Sequence, residues 1–180
     1  MRFTACPIDG AWLVDLEPAG DERGFFARSH CVSEFAAQGL DGVFRQSSVS
    51  FNARRGTLRG MHFQAAPHAE TKLVRCTAGE VFDVIVDLRA GSPGYGRWFG
   101  TELSAANRRS LYIPPGCAHG FLTLTDAAEV LYMISCDYVP GAARGLRWDD
   151  PAIGIGWPSA PLLVSARDAA LPTLGAAALR

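Results

Sequence analysis

The sequence predicts an all-β fold, a sandwich or small barrel, on three observations. Short apolar runs alternate with Gly, Pro, Asn and Asp punctuation, the rhythm of strands joined by turns. The clearest run, 79–88, alternates two faces with a period of two. Hydrophobic residues make up 48% and charged residues 19% of 180 positions, enough for one packed core. That balance excludes disordered, collagenous and coiled-coil chains, and the length suits one domain over 1–180.

Taken in order, a strand is expected near 11–17, between Asp9-Gly10 and Pro18, and another near 23–29, after Asp21. Two more follow at 43–52, after Asp41-Gly42, and at 57–64, after Gly56. Strands at 70–77 and 80–88 flank Gly79, and one at 97–103 follows the Gly94–Gly96 turn. The strand at 110–114 ends at Pro114-Pro115-Gly116, and those at 118–124 and 129–137 flank Asp126. The best helix is short, Ser33 to Gln38, and Gly39 ends it. A tail from about 159 is rich in Ala and Leu, with a short helix expected to start near Asp168.

Seventeen basic and eighteen acidic residues give a net charge of -1, without the basic stripe that nucleic acid requires. Arg54-Arg55 and Arg108-Arg109 read as solvated loop pairs. No apolar run approaches the roughly 18–20 residues that span a bilayer, and Pro7 and Asp9 break the start where a signal peptide would be apolar. The five cysteines are scattered, without a CxxC pair. That pattern indicates reduced thiols and a cytoplasmic protein.

In the 79–88 strand Phe82, Val84, Val86 and Leu88 form one apolar face. Asp83 and Asp87 share the other, which is expected to be wet at Asp87 and to hold a partner for Asp83 at mid-strand. Four further segments place polar groups inside apolar strand patterns: 58–64, 70–75, 113–121 and 130–134. Burying such groups costs several kcal/mol each unless they are paired or meet a ligand, on the order of the effective penalty per buried ion, so a shared polar pocket inside the barrel is expected. Alternation sends Arg59 and His62 to opposite faces; a bulge at Gly60 would bring them together. His62 and Gln64 share a face, as do Glu70, Lys72 and Val74. Lys72 is the one lysine beside sixteen arginines.

These groups suit proton transfer beside a carbonyl, which needs a base, an opposed acid and a cation for the enolate. Histidine is the default base and a tyrosine hydroxyl a usable acid; Arg with Lys suits a phosphorylated substrate or an oxyanion. A metal triad of His62, His119 and Asp83 is the sharpest competitor. Gln64 stands where a second closely spaced metal-binding histidine would be. Cys117, two residues before His119, lacks an orienting partner and reads as a small buried residue. His30 and His68 fall in loops, and no nucleophile elbow, Walker loop or dinucleotide fingerprint is present.

Several stretches together carry a family resemblance. They are Asp21-Glu22-Arg23-Gly24-Phe25-Phe26, Leu58 to Gln64, Lys72-Leu73-Val74-Arg75, Val81-Phe82-Asp83-Val84, Ile113-Pro114-Pro115-Gly116, Ala118-His119-Gly120-Phe121 and Ile153 to Pro158. In this order and spacing, from about Asp21 to Pro172, the chain resembles the dTDP-4-dehydrorhamnose 3,5-epimerases. The resemblance implies a cupin or jelly-roll fold and a homodimer with exchanged N-terminal strands. It implies epimerisation at C3 and/or C5 of a nucleotide-linked 4-keto-6-deoxy hexose, without metal or organic cofactor. The expected conversion is dTDP-4-dehydro-6-deoxy-D-glucose to dTDP-4-dehydro-L-rhamnose; a mono-epimerase for another nucleotide sugar is the alternative.

By that resemblance His62 is the base, Asp168 orients it, Tyr132 is the opposed acid and Lys72 stands beside the keto oxygen. Arg59 and His119 bind substrate, with Asp83 as the partner of His119. Tyr138 stacks on the nucleobase, while Arg23 and Phe26 reach the nucleotide of a neighbouring subunit. Gln46 and Ser48 are further substrate contacts. The chain departs from the family pattern at ligand-contacting positions: Ser47 and Ser48 replace Asp and Asn, Arg28 and Ala143 replace glutamates, and Arg167 replaces a lysine. Reaction type is therefore better determined than the identity of base or hexose.

Overall fold

The computed structural model describes residues 1–175; residues 176–180 of the expected unit and of its tail lie outside the described residues. Two antiparallel sheets face each other. The first is ordered β1 (Arg2–Ala5), β2 (Trp12–Asp15), β10 (Ser110–Ile113), β7 (Lys72–Ala78), β12 (Ala128–Ile134) and β5 (Gln46–Asn52). The second is ordered β13 (Ala143–Gly145), β6 (Thr57–Gln64), β11 (Cys117–Thr123), β8 (Glu80–Asp87) and β9 (Trp98–Ser104). β14 (Leu163–Val164) adds to β6 in parallel, and β3 (Ala19–Asp21) with β4 (Gly24–Phe26) forms a separate hairpin. This is the all-β architecture that the strand pattern predicts, in the jelly-roll form that the family resemblance implies.

Each of the ten expected strands has a counterpart, several of them shortened: 11–17 becomes Trp12–Asp15 and 23–29 becomes Gly24–Phe26. β1, β3, β13 and β14 were not expected. They are two to four residues long and exist because a partner strand lies beside them, not because their own sequence alternates. The first helix, α1, runs Val32–Ala37. Its buried Phe35 packs with Val14, Leu73 and Tyr112 on the outer side of the first sheet.

The space between the sheets is filled by Val74 and Cys76 of β7, Val81 and Ile85 of β8, Phe121 of β11 and Val130 of β12. Alternation then fixes which other residues enter it. Lys72 lies two before Val74, Tyr132 two after Val130, and His119 between Cys117 and Phe121. The opposite face of the second sheet is also covered: Met61, Phe63, Val84, Val86 and Leu88 pack under Leu146 and Ile153, flanked by Trp98 and Trp157.

That second cover corrects the reading of Asp87 as wet. With Phe82, Val84 and Val86 turned to the outer cluster, Asp83 and Asp87 point between the sheets, and both are fully buried. Burial pushes the Asp87 carboxyl up. Hydrogen bonds from Arg89 Nε (2.8 Å), Arg89 Nη2 (2.7 Å) and Ser92 Oγ (2.6 Å) outweigh it and hold the group below the usual range. No helix among the described residues is long and apolar enough to cross a membrane.

Candidate active site

The expected bulge forms. His119 pairs with His62 and Phe121 with Arg59, so two steps on β11 match three on β6. The extra residue lets Arg59 and His62 line one cavity despite their odd spacing. Gly60 occupies the crossing at φ +137°, and a Cβ there would stand 2.6 Å from the Gly120 Cα, so only glycine fits.

The cavity, of about 460 Å³, lies within the range of small-molecule sites. β6 contributes Arg59, His62 and Gln64, β7 contributes Lys72, β11 His119, β12 Tyr132, and β5 Gln46, Ser48 and Ser50. The stretch after β14 adds Ser165, Arg167 and Asp168. The expected tail thus builds one wall of the site. Its helix, α2 (Ala166–Ala169), begins earlier than expected because the Ser165 side chain caps it, accepting from Asp168 N at 3.0 Å.

Capping aims the buried Asp168 carboxylate at β6. Oδ1 lies 2.7 Å from His62 Nε2, and Oδ2 accepts from Gly60 N at 3.3 Å. With Nε2–H donating to the Asp168 carboxylate, the lone pair of the neutral His62 ring is on Nδ1. Burial lowers the His62 pKa, the neighbouring Lys72 and Arg167 charges push the same way, and Asp168 opposes them. The net shift is downward, so the ring is neutral at pH 7, the form in which an imidazole can accept a proton.

Tyr132 carries the opposite tendency. Burial foremost, then the Asp83 charge, raises its pKa well above the ordinary phenol value, with Arg59 opposing. It holds its proton at neutral pH. Its ring meets the His119 ring edge-on at 5.7 Å, and His119 Nε2 is fixed at 2.9 and 3.0 Å from the two Asp83 oxygens. The Lys72 ammonium pairs with Glu70 Oε1 at 2.8 Å and reaches His62 O at 3.5 Å. Arg59 Nε donates to the buried Asn52 Oδ1 at 2.7 Å.

The cavity therefore gathers His62, Tyr132, Lys72, Asp168, Arg59, His119, Gln46, Ser48, Tyr138 and Arg167, with Ala143 and Arg144 at its wall. Asp83 stands behind His119. Arg23, Phe26 and Arg28 lie elsewhere: Arg23 pairs with Asp21 on the exposed β3–β4 hairpin, Phe26 is 81% exposed, and Arg28 Nη1 donates to Glu34 Oε1 at 2.9 Å. Ser47, expected at a ligand contact, alternates outward from β5 between the inward Gln46 and Ser48. The metal triad does not assemble: Asp83 and His119 meet each other, but His62 turns its Nε2 to Asp168 instead. Among the described residues no group of three or more His, Cys, Asp or Glu could hold a metal ion.

Sequence reasoning missed Asn52, Ser50 and Ser165. Ser165 had a signal, Ser-Ala-Arg-Asp, with a capping residue three before an acid. Asn52 had none, since it acts across strands.

Comparison with known proteins gives the family. Residues 5–176 match the family model described as dTDP-4-dehydrorhamnose 3,5-epimerase. The dTDP-4-dehydrorhamnose 3,5-epimerase of Salmonella typhimurium is 48% identical over 171 residues, 93% of each chain. The dTDP-4-dehydrorhamnose 3-epimerase of Streptomyces niveus is 40% identical over 93% of this chain and 81% of its own. The crystal structure of the 3,5-epimerase from Bacillus anthracis, with TDP and PPi bound, superposes with a TM-score of 0.92 at 39% identity, covering 96% of this chain and 99% of that one. Fold and site together define a jelly-roll isomerase, a carbohydrate epimerase. The chain belongs to the dTDP-4-dehydrorhamnose 3,5-epimerase family.

Proposed function

We propose that the protein epimerises a dTDP-linked 4-keto-6-deoxy hexose, dTDP-4-dehydro-6-deoxy-D-glucose to dTDP-4-dehydro-L-rhamnose, using its own side chains. The observation that carries this reading is a neutral His62 held by a buried Asp168 in the same cavity as a protonated Tyr132. The 4-keto group acidifies the protons on C3 and C5. His62 removes one, and the positive charge on the imidazolium is stabilised by Asp168. Negative charge then grows on the keto oxygen, where the Lys72 ammonium offsets it. Tyr132 returns a proton to the opposite face, and its raised pKa keeps the hydroxyl loaded at pH 7. Arg59, His119 and Arg167 supply positive charge and donors for the diphosphate and sugar, and Tyr138 stacks on the base.

A homodimer completes the site in this reading. Arg23 and Phe26 stand exposed on a hairpin and do not line their own cavity, as residues that serve a neighbour's nucleotide would. The unpaired state of all five cysteines fits a cytoplasmic location.

The test is NMR of the sugar after incubation in deuterated water, with dTDP-4-dehydro-6-deoxy-D-glucose. Deuterium at both C3 and C5 marks a 3,5-epimerase and at one carbon a mono-epimerase, the activity for which the Streptomyces niveus relative is named. His62→Ala nearly abolishes incorporation; wild-type exchange in that variant defeats the base assignment.

A further inference from the structure

The geometry points to Gln64 as a positioning residue that holds Lys72 through Glu70 and the Tyr138 segment directly, setting the two in fixed relation across the cavity. It deepens the proposed function, since it rests on Lys72 and Tyr138 meeting the two ends of the substrate.

Gln64 is the last residue of β6, two after His62 on the same face, and only 2% exposed. Its carboxamide is fully used. Nε2 donates to Glu70 Oε2 at 2.7 Å, and the other oxygen of that carboxylate takes the Lys72 ammonium at 2.8 Å. The same Nε2 reaches Asp137 O at 3.2 Å, while Oε1 accepts from Val139 N at 2.7 Å. Those two backbone groups bracket Tyr138, whose side chain is 57% exposed. One amide thus pins the chain on both sides of the aromatic residue while it orients the carboxylate that anchors the ammonium. The donors and acceptors around it fix which end is nitrogen and which is oxygen. A hydrophobic residue of similar length would fill the space and support neither end.

Two variants separate the limbs. Gln64→Met removes both; Glu70→Gln removes the charge that anchors Lys72 and leaves the Tyr138 bracket intact. Because Lys72 is the one lysine in the chain, protein labelled with 13Cε-lysine gives a single lysine signal. Its chemical shift reports the ammonium directly, without substrate. Gln64→Met is expected to move that signal, lower kcat by about tenfold or more and weaken dTDP binding by calorimetry about tenfold, the scale of a lost hydrogen bond to a charged group. Glu70→Gln is expected to move the signal and lower kcat while the Kd for dTDP stays within about twofold, well short of the roughly tenfold loss that one charged hydrogen bond would bring. A purely structural role for Gln64 would lower Tm alone.

An unmoved lysine signal in both variants overturns the inference, as does a folded Gln64→Met protein with wild-type kcat and Kd. If that variant does not fold, Glu70→Gln decides: an unmoved signal there overturns the inference. Absence of proton exchange in the wild-type protein defeats the proposed reaction instead, and the lysine signal still tests the positioning.

Discussion

Replacing Asp168 by Asn removes one charge and almost no volume, so it isolates what the carboxylate does for His62. The contact is 2.7 Å long and Asp168 is only 4% exposed. A charge-assisted hydrogen bond of this kind contributes about 1.5–3 kcal/mol, which at about 1.4 kcal/mol per decade is roughly 10- to 150-fold in rate. A second effect adds to the first. With Gly60 N donating to one side-chain atom, the asparagine oxygen turns to that donor and its NH2 turns to His62. The imidazole must then accept at Nε2 and carry its proton on Nδ1, the wrong tautomer for a base at Nδ1. We expect kcat for deuterium incorporation to fall by at least about 100-fold.

The pH profile supplies an independent sign. The base works when neutral, so kcat/KM rises with pH through the free-enzyme pKa of His62. Burial already lowers that pKa, and the Asp168 charge is what opposes the shift. Removing the charge moves the acid limb further toward low pH, while the plateau falls. A plateau within about threefold of wild type, well short of one lost charged hydrogen bond, or an acid limb displaced upward, refutes the assignment of Asp168 as orienting partner.

Tyr132→Phe is expected to lower completed inversion more than solvent exchange, because His62 can still remove and return a proton on its own face; equal losses in the NMR assay show that Tyr132 is no dedicated acid. Lys72→Arg keeps the charge, but a planar guanidinium does not match the compact ammonium held by Glu70. Activity should fall by at least about tenfold, the scale of one hydrogen bond to a charged group, and near-normal turnover removes Lys72 from the mechanism. Gly60→Ala meets the backbone of Gly120 at 2.6 Å and a left-handed φ; destabilisation by about 2 kcal/mol or more should appear as a Tm lower by several degrees, and an unchanged Tm contradicts the tight crossing.

The order of strands along the chain, the apolar face of β8 and the polar interruptions on β6, β7, β11 and β12 were legible in the sequence. They are consequences of local alternation and of the cost of burying unpaired polar groups, both of which act residue by residue. Alternation also exposed its own exception: the parity conflict between Arg59 and His62 required a bulge, and Gly60 marked where it had to be. Most of the chemical groups could be named for the same reason, since a histidine, a lysine and a tyrosine inside strand patterns need an explanation wherever they occur.

Tertiary structure alone decided what each group faces. Whether the Asp83–Asp87 face is wet depends on what covers the other face of β8, and that cover comes from residues 146–157, far along the chain. The pairing of His62 with Asp168 rather than with a metal-binding partner spans 106 residues. The Gln64 carboxamide gains its partners from Glu70 and from Asp137 and Val139, more than 70 residues away. Such contacts form by chain closure across sheets. Hydrogen-bond geometry and burial, which no local period encodes, turn a list of polar residues into a neutral imidazole, a protonated phenol and an anchored ammonium.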